Sequence, residues 1–114
     1  MDTSLEYIKM CGKTNEIQDI GEMYHSAEEW NYWATPKNFT ISAIKKGHRT
    51  VWLPRQDQLQ EMIKSISAFG RLKRFYRFVY FEENRRHEWS MEQLWLAFVM
   101  KEKYEKVWDG TEWV

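Results

Sequence analysis

Little in this sequence can be cross-linked, ligated to a metal or used as a nucleophile. Cysteine occurs once, at Cys11. That excludes an intramolecular disulfide and a thiolate-rich zinc site, and suits a reducing compartment. His25, His48 and His87 show no HxH or HxxxH spacing of the kind that aims two imidazoles at one metal. No metal site and no cofactor are therefore expected. The five glycines stand singly, so no glycine-rich loop is available to cradle a phosphate. No GxSxG, SxxK or HExxH is present, and Cys11 falls on a predicted helix with no base beside it. The acidic pairs Glu28/Glu29 and Glu82/Glu83 are sequence neighbours, which in a helix or strand point apart. A catalytic role is not expected.

Long apolar runs are also missing. The longest, Leu94 to Met100, is far short of the ~20 residues that span a bilayer. The N-terminal segment lacks the basic-then-apolar order of a signal peptide. With only two prolines, and no repeat or low-complexity linker, the chain reads as a single domain, 1–114, soluble and cytoplasmic.

Aromatic residues are abundant, at 17% of the chain, and seven are Trp. A core this small cannot bury them all, so some are expected at the surface. Charge is strongly patterned beneath a net value of zero. Residues 1–36 sum to −5, residues 37–86 to +8 and residues 87–114 to −3. The central block is either a basic face beside acidic helices or a site for an anionic partner.

Capping-box spacing at Thr3 and Glu6 predicts a helix over about 3–19. NFTISAI and RTVWL flank a Lys46-Gly47 turn and predict a hairpin, Phe39–Ile44 with Arg49–Leu53. Pro54 opens a second helix, whose Leu59, Met62, Ile63 and Ile66 share one face; Gly70 ends it. RLKRFYRFVYFE, 71–82, reads as a strand that is buried toward Phe81. Ser90 and Gln93 form a further capping-box pair and start a helix over about 91–108. An Asp109-Gly110 turn then lets Trp113 pack back. The expected fold is α+β: an antiparallel sheet of about three to four strands against about three helices.

VWLPRQDQLQEMI, SMEQLWLAFVMKEKYEKVWDGTEWV and the N-terminal YIKMCGKTNEIQ resemble a set of small phage and prophage proteins of Gram-positive bacteria. The resemblance covers about half the chain and departs over roughly 22–50. It implies a phage product at work in the bacterial cytoplasm, and it carries no catalytic residue. Two binding sites are candidates. Trp30, Tyr32 and Trp33 lie in a segment with no core period, where rings anchor protein contacts. Arg71, Lys73, Arg74 and Arg77 interleave with rings, Arg85 and Arg86 follow, and the predicted hairpin turn adds Lys45, Lys46 and Arg49, as in a nucleic-acid contact. A protein partner is favoured, with a possible role in inhibiting a host system; nucleic acid is the alternative.

Overall fold

A computed structural model describes residues 2–22, 32–34, 51–64, 67–82 and 88–114. They fall into two compact units, Thr3–Pro54 and Arg55–Val114, the latter joined by Asp2. Among the described residues the protein is mostly helical, and its one sheet is a two-stranded antiparallel ribbon. The expected α+β fold with a three- to four-stranded sheet is overturned.

The first unit holds α1 (Leu5–Gly12), α2 (Asn15–Glu22), β1 (Tyr32–Ala34) and β2 (Val51–Leu53). Ser4, not Thr3, caps α1, its hydroxyl accepting from the Tyr7 N–H at 3.2 Å. The predicted single helix breaks at Lys13 and Thr14. The Thr14 hydroxyl turns back to donate to the Cys11 carbonyl at 2.9 Å, a local bond that competes with helix continuation. Thr14 also leads into α2, accepting from the Gln18 N–H.

Tyr7, Met10, Cys11, Ile17, Trp52 and Leu53 are fully buried. The Tyr7 hydroxyl donates to the Pro54 carbonyl at 2.7 Å, so the ring is buried with its polar end satisfied. Gln18 ties α2 to β2. Its Oε1 accepts from the Trp52 N–H at 2.8 Å, while its Nε2 donates to the Trp52 carbonyl at 3.0 Å and the Cys11 carbonyl at 3.2 Å. One side chain thus serves β2 as a neighbouring strand would. β2 pairs antiparallel with Tyr32–Ala34, a partner that was not expected, in the register Tyr32↔Leu53, Trp33↔Trp52 and Ala34↔Val51. The predicted partner strand, 39–44, lies outside the described residues.

The second unit holds α3 (Gln56–Glu61), α4 (Ala68–Arg77), a π-helical turn (Phe78–Glu82) and α5 (Met91–Tyr104). The segment expected as a strand, 71–82, is α4 and the π turn. Its burial repeats at a helical interval: Phe75 and Phe78 are buried, whereas Tyr76 and Phe81 are exposed. Ser67 caps α4 by accepting from the Gly70 N–H at 3.1 Å, so Gly70 lies inside a helix and ends nothing. Phe75 stacks flat on Trp95, with ring centroids 4.0 Å apart, and meets Phe98 edge-on at 5.6 Å. Phe78 adds a third contact, to Phe98, at 5.6 Å. Packing of two rings one turn apart decides the segment, and β propensity, a context-dependent preference, yields to it.

α5 is the scaffold of this unit. Gln93 through Met100 are buried on every side of the helix. Its capping box forms as expected: Gln93 N–H to Ser90 Oγ at 3.2 Å, and Ser90 N–H to Gln93 Oε1 at 2.7 Å. The Ser90 hydroxyl in turn donates to the Asp2 carboxylate. The helix stops at Tyr104, earlier than predicted, because Glu105 adopts the left-handed conformation at φ 55°. Trp108 and Trp113 then bridge around the Asp109-Gly110 turn, ring centroids 5.2 Å apart.

Candidate functional site

α4 and the π turn gather the largest exposed apolar surface among the described residues. Phe69, Leu72, Tyr76, Tyr80 and Phe81 each have between 55% and 76% of their surface exposed. Phe69, Leu72, Tyr76 and Tyr80 succeed one another at intervals of three, four and four residues. That places them in one ridge along the helix, rotated away from the buried Phe75–Phe78 stripe. The π turn keeps the ridge straight. A wider turn rotates less per residue, so Tyr80 falls back over Tyr76, and their rings stack at 5.6 Å with an 18° tilt. Tyr80 also meets Phe81 edge-on at 4.9 Å. Since an aromatic side chain spans ~150–250 Å², the five residues offer on the order of 600 Å² of contact surface. That is large for a monomer, in which the biggest patch is ~300–600 Å² and often functional.

Cations flank the ridge. α4 carries Arg71, Lys73, Arg74 and Arg77 and not one carboxylate. Their placement separates structural from available charge. Arg71 donates to the Gln60 and Ile63 carbonyls, both at 3.3 Å, closing the end of α3. Arg74 pairs with Glu102 of α5 at 3.4 Å. Lys73 and Arg77 stand one turn apart on the exposed side of α4, where no ion pair to a described residue forms.

Two clefts border this face. One, of about 450 Å³, is lined by Arg74, Arg77, Phe78, Phe81 and Glu102. The other, of about 200 Å³, is lined by Gln60, Ala68, Arg71, Leu72 and Trp95. Trp95 is 3% exposed, and its indole N–H is buried without an acceptor among the described residues. A buried donor left in that state costs about 1–3 kcal/mol and calls for an explanation.

The other sequence candidates sit elsewhere. Tyr32 and Trp33 belong to β1, opposite Leu53 and Trp52, which corrects the expectation of an irregular segment. Trp30, Lys45, Lys46, Arg49, Arg85 and Arg86, together with all three histidines, lie outside the described residues. The basic residues 71–77 are helical, so the expected alternation of rings and cations across a strand does not exist. What replaces it is a ridge and a basic flank, and the residues the sequence reading missed are Phe69, Leu72, Tyr80 and Trp95. A helical spacing count from Ser67 onward would have found the first three; nothing in the sequence marks the unpaired indole of Trp95.

Among the described residues, two carboxyls titrate below their ordinary range, and neither belongs to this face. Asp57 is lowered by its hydrogen bond from Arg55. Asp109 is lowered by hydrogen bonds from the Glu112 and Thr111 N–H groups and the Thr111 hydroxyl. Among the described residues no three His, Cys, Asp or Glu side chains converge as a metal site, and no helix is long and apolar enough to cross a membrane. No protein-family model, curated protein or solved structure matches the chain.

Proposed function

We propose that this chain is a non-catalytic phage or prophage accessory protein that binds a protein in the cytoplasm of its bacterial host, blocking or redirecting it. The phage origin rests on the resemblance of the 51–63 and 90–114 segments. The binding role rests on one observation, the exposed Phe69–Leu72–Tyr76–Tyr80 ridge with Lys73 and Arg77 beside it. Rings and arginine are the residue types that dominate protein interfaces, and an exposed apolar patch of this size is costly to maintain without a use.

The test is photo-crosslinking in the bacterial host. A photoreactive phenylalanine replaces Tyr76 in one variant and the exposed Glu112 in another. A discrete protein adduct from the Tyr76 position alone is expected. The same adducts from both positions would count against the ridge as the contact surface.

The four cations of α4, with no carboxylate among them, favour nucleic acid as a second reading. Fluorescence anisotropy with single- and double-stranded oligonucleotides at two salt concentrations decides it. Binding that fades with salt supports nucleic acid, and its absence at low salt removes that reading.

A further inference from the structure

We infer that the partner of this face is an acidic amphipathic helix, whose apolar stripe lies along the Phe69–Leu72–Tyr76–Tyr80 ridge and whose carboxylate side chain enters the cleft between Leu72, Arg71 and Trp95. The inference rests on the proposed reading of α4 as the contact surface and adds the chemistry of the partner.

Four observations carry it. The ridge repeats at the helical interval over residues 69–80, a length of roughly 16 Å, or three turns. Such a ridge fits the groove between the side-chain rows of a second helix. The exposed apolar surface, on the order of 600 Å², is close to the ~800 Å² that each side of a standard interface contributes, and a polar rim supplies the rest. The rim is cationic throughout α4, so the complementary surface is anionic. Finally, the cleft beside Leu72 is walled by Trp95, whose buried N–H has no described acceptor, and by Arg71. The Arg71 guanidinium gives one nitrogen, Nη1, to the Gln60 and Ile63 carbonyls and keeps further N–H donors. The Arg71 donors in the cleft lining specify an acceptor-only guest, and a carboxylate is one, while the Trp95 N–H, buried from water, is reached only if that guest parts the lining.

The alternatives fit less well. A second copy of this chain would bring the same cations to the ridge and no α4 carboxylate to meet them. Nucleic acid would suit the charge, but Leu72 at the middle of the ridge has no ring face to stack on. Tyr76 and Tyr80 already stack on each other.

The experiment is a display selection on the full-length protein. Sixteen-residue helical peptides keep a leucine stripe at helical spacing, and their flanking positions are randomised. The best peptide is then titrated against wild type, Trp95→Phe and the double variant Leu72→Ser/Tyr76→Ser. Both residues of the double variant are exposed, so the fold is retained, and circular dichroism checks it. Enriched peptides are expected to carry Asp or Glu on one flank. The double variant should bind at least tenfold more weakly. Trp95→Phe, which keeps a ring against Phe75 and loses the indole N–H together with the distal ring, should bind roughly tenfold more weakly while circular dichroism still reports the folded protein.

Ridge-dependent enrichment of neutral or basic flanks would overturn the acidic helix and leave the contact surface standing. Full affinity in Trp95→Phe would overturn the carboxylate seat. Equal enrichment on wild type and the double variant, or none on either, would overturn both the inference and the contact surface. Oligonucleotide binding that displaces the peptide, or concentration-dependent self-association abolished by the double variant, would replace the acidic helix with that partner.

Discussion

Gln18 is the side chain on which the first unit is most sharply testable. Its amide satisfies the N–H and the carbonyl of Trp52, a fully buried residue, and also reaches the Cys11 carbonyl. Gln18→Leu keeps the volume and removes all three bonds. The Cys11 carbonyl retains the Thr14 hydroxyl and N–H. The two Trp52 groups lose their Gln18 partners, at about 1–3 kcal/mol each when buried. A total loss of about 2–5 kcal/mol is a large share of the ~5–15 kcal/mol that holds a domain folded. Urea unfolding followed by circular dichroism measures it.

Gln18→Glu sharpens the argument through pH. One carboxylate oxygen still accepts from the Trp52 N–H. The other replaces a donor and faces the Trp52 and Cys11 carbonyls, so the folded state favours the protonated acid. A carboxyl whose pKa is raised by folding contributes its full stability below the unfolded value, near 4.3. That contribution is lost as pH rises through the folded value. The Gln18→Glu variant should therefore be more stable near pH 4 than at pH 7, relative to wild type. A Gln18→Leu variant within ~0.5 kcal/mol of wild type would refute the reasoning. So would a Gln18→Glu variant with no pH dependence beyond that of wild type.

Three further outcomes follow from the helix ends and the tail. Ser90→Ala removes the N-cap acceptor of α5 and the bond to Asp2. It should cost about 1–2 kcal/mol in chemical unfolding, and Ser90→Thr should recover most of it. Glu105→Gly relieves a left-handed backbone at φ 55° and should raise stability by about 1 kcal/mol, seen as a higher melting temperature. The Asp109 carboxyl is held below its ordinary 3.8 by bonds to Glu112 and Thr111. Its stabilising effect is present above that value and is lost as pH falls through the depressed one. Emission from Trp108 and Trp113 should then change in acid, and in Asp109→Asn that transition should vanish.

Much of α5 was legible from the residues because its signals agree. A Ser90–Gln93 capping box opens the helix, and the unbroken apolar run Leu94–Met100 demands burial on every side. The Asp109-Gly110 turn and the return of Trp113 were legible for the same reason. The 71–82 segment was not, because Leu72, Phe75, Tyr76, Phe78 and Val79 fit both a two-residue and a helical period. A short stretch with apolar residues on most positions carries no periodic contrast, and propensity then misleads. The partner of β2 was equally hidden. Strand pairing depends on groups distant in the chain, and RTVWL has no feature that prefers Tyr32–Ala34.

The candidate surface divides along the same line. The residues by themselves established an excess of rings over core capacity, a basic centre between acidic ends, and the lack of any catalytic or metal-binding motif. They also placed Arg71, Lys73, Arg74 and Arg77 among aromatics. Only tertiary structure decided which of these face solvent. Phe75 stacks on Trp95 and turns one stripe of α4 inward, so Phe69, Leu72, Tyr76 and Tyr80 are left outside that stripe, exposed to solvent. Arg71 goes to the end of α3 and Arg74 to Glu102, which separates them from Lys73 and Arg77. Composition sets how many rings and charges a chain carries, whereas exposure depends on which of them the core has room to take.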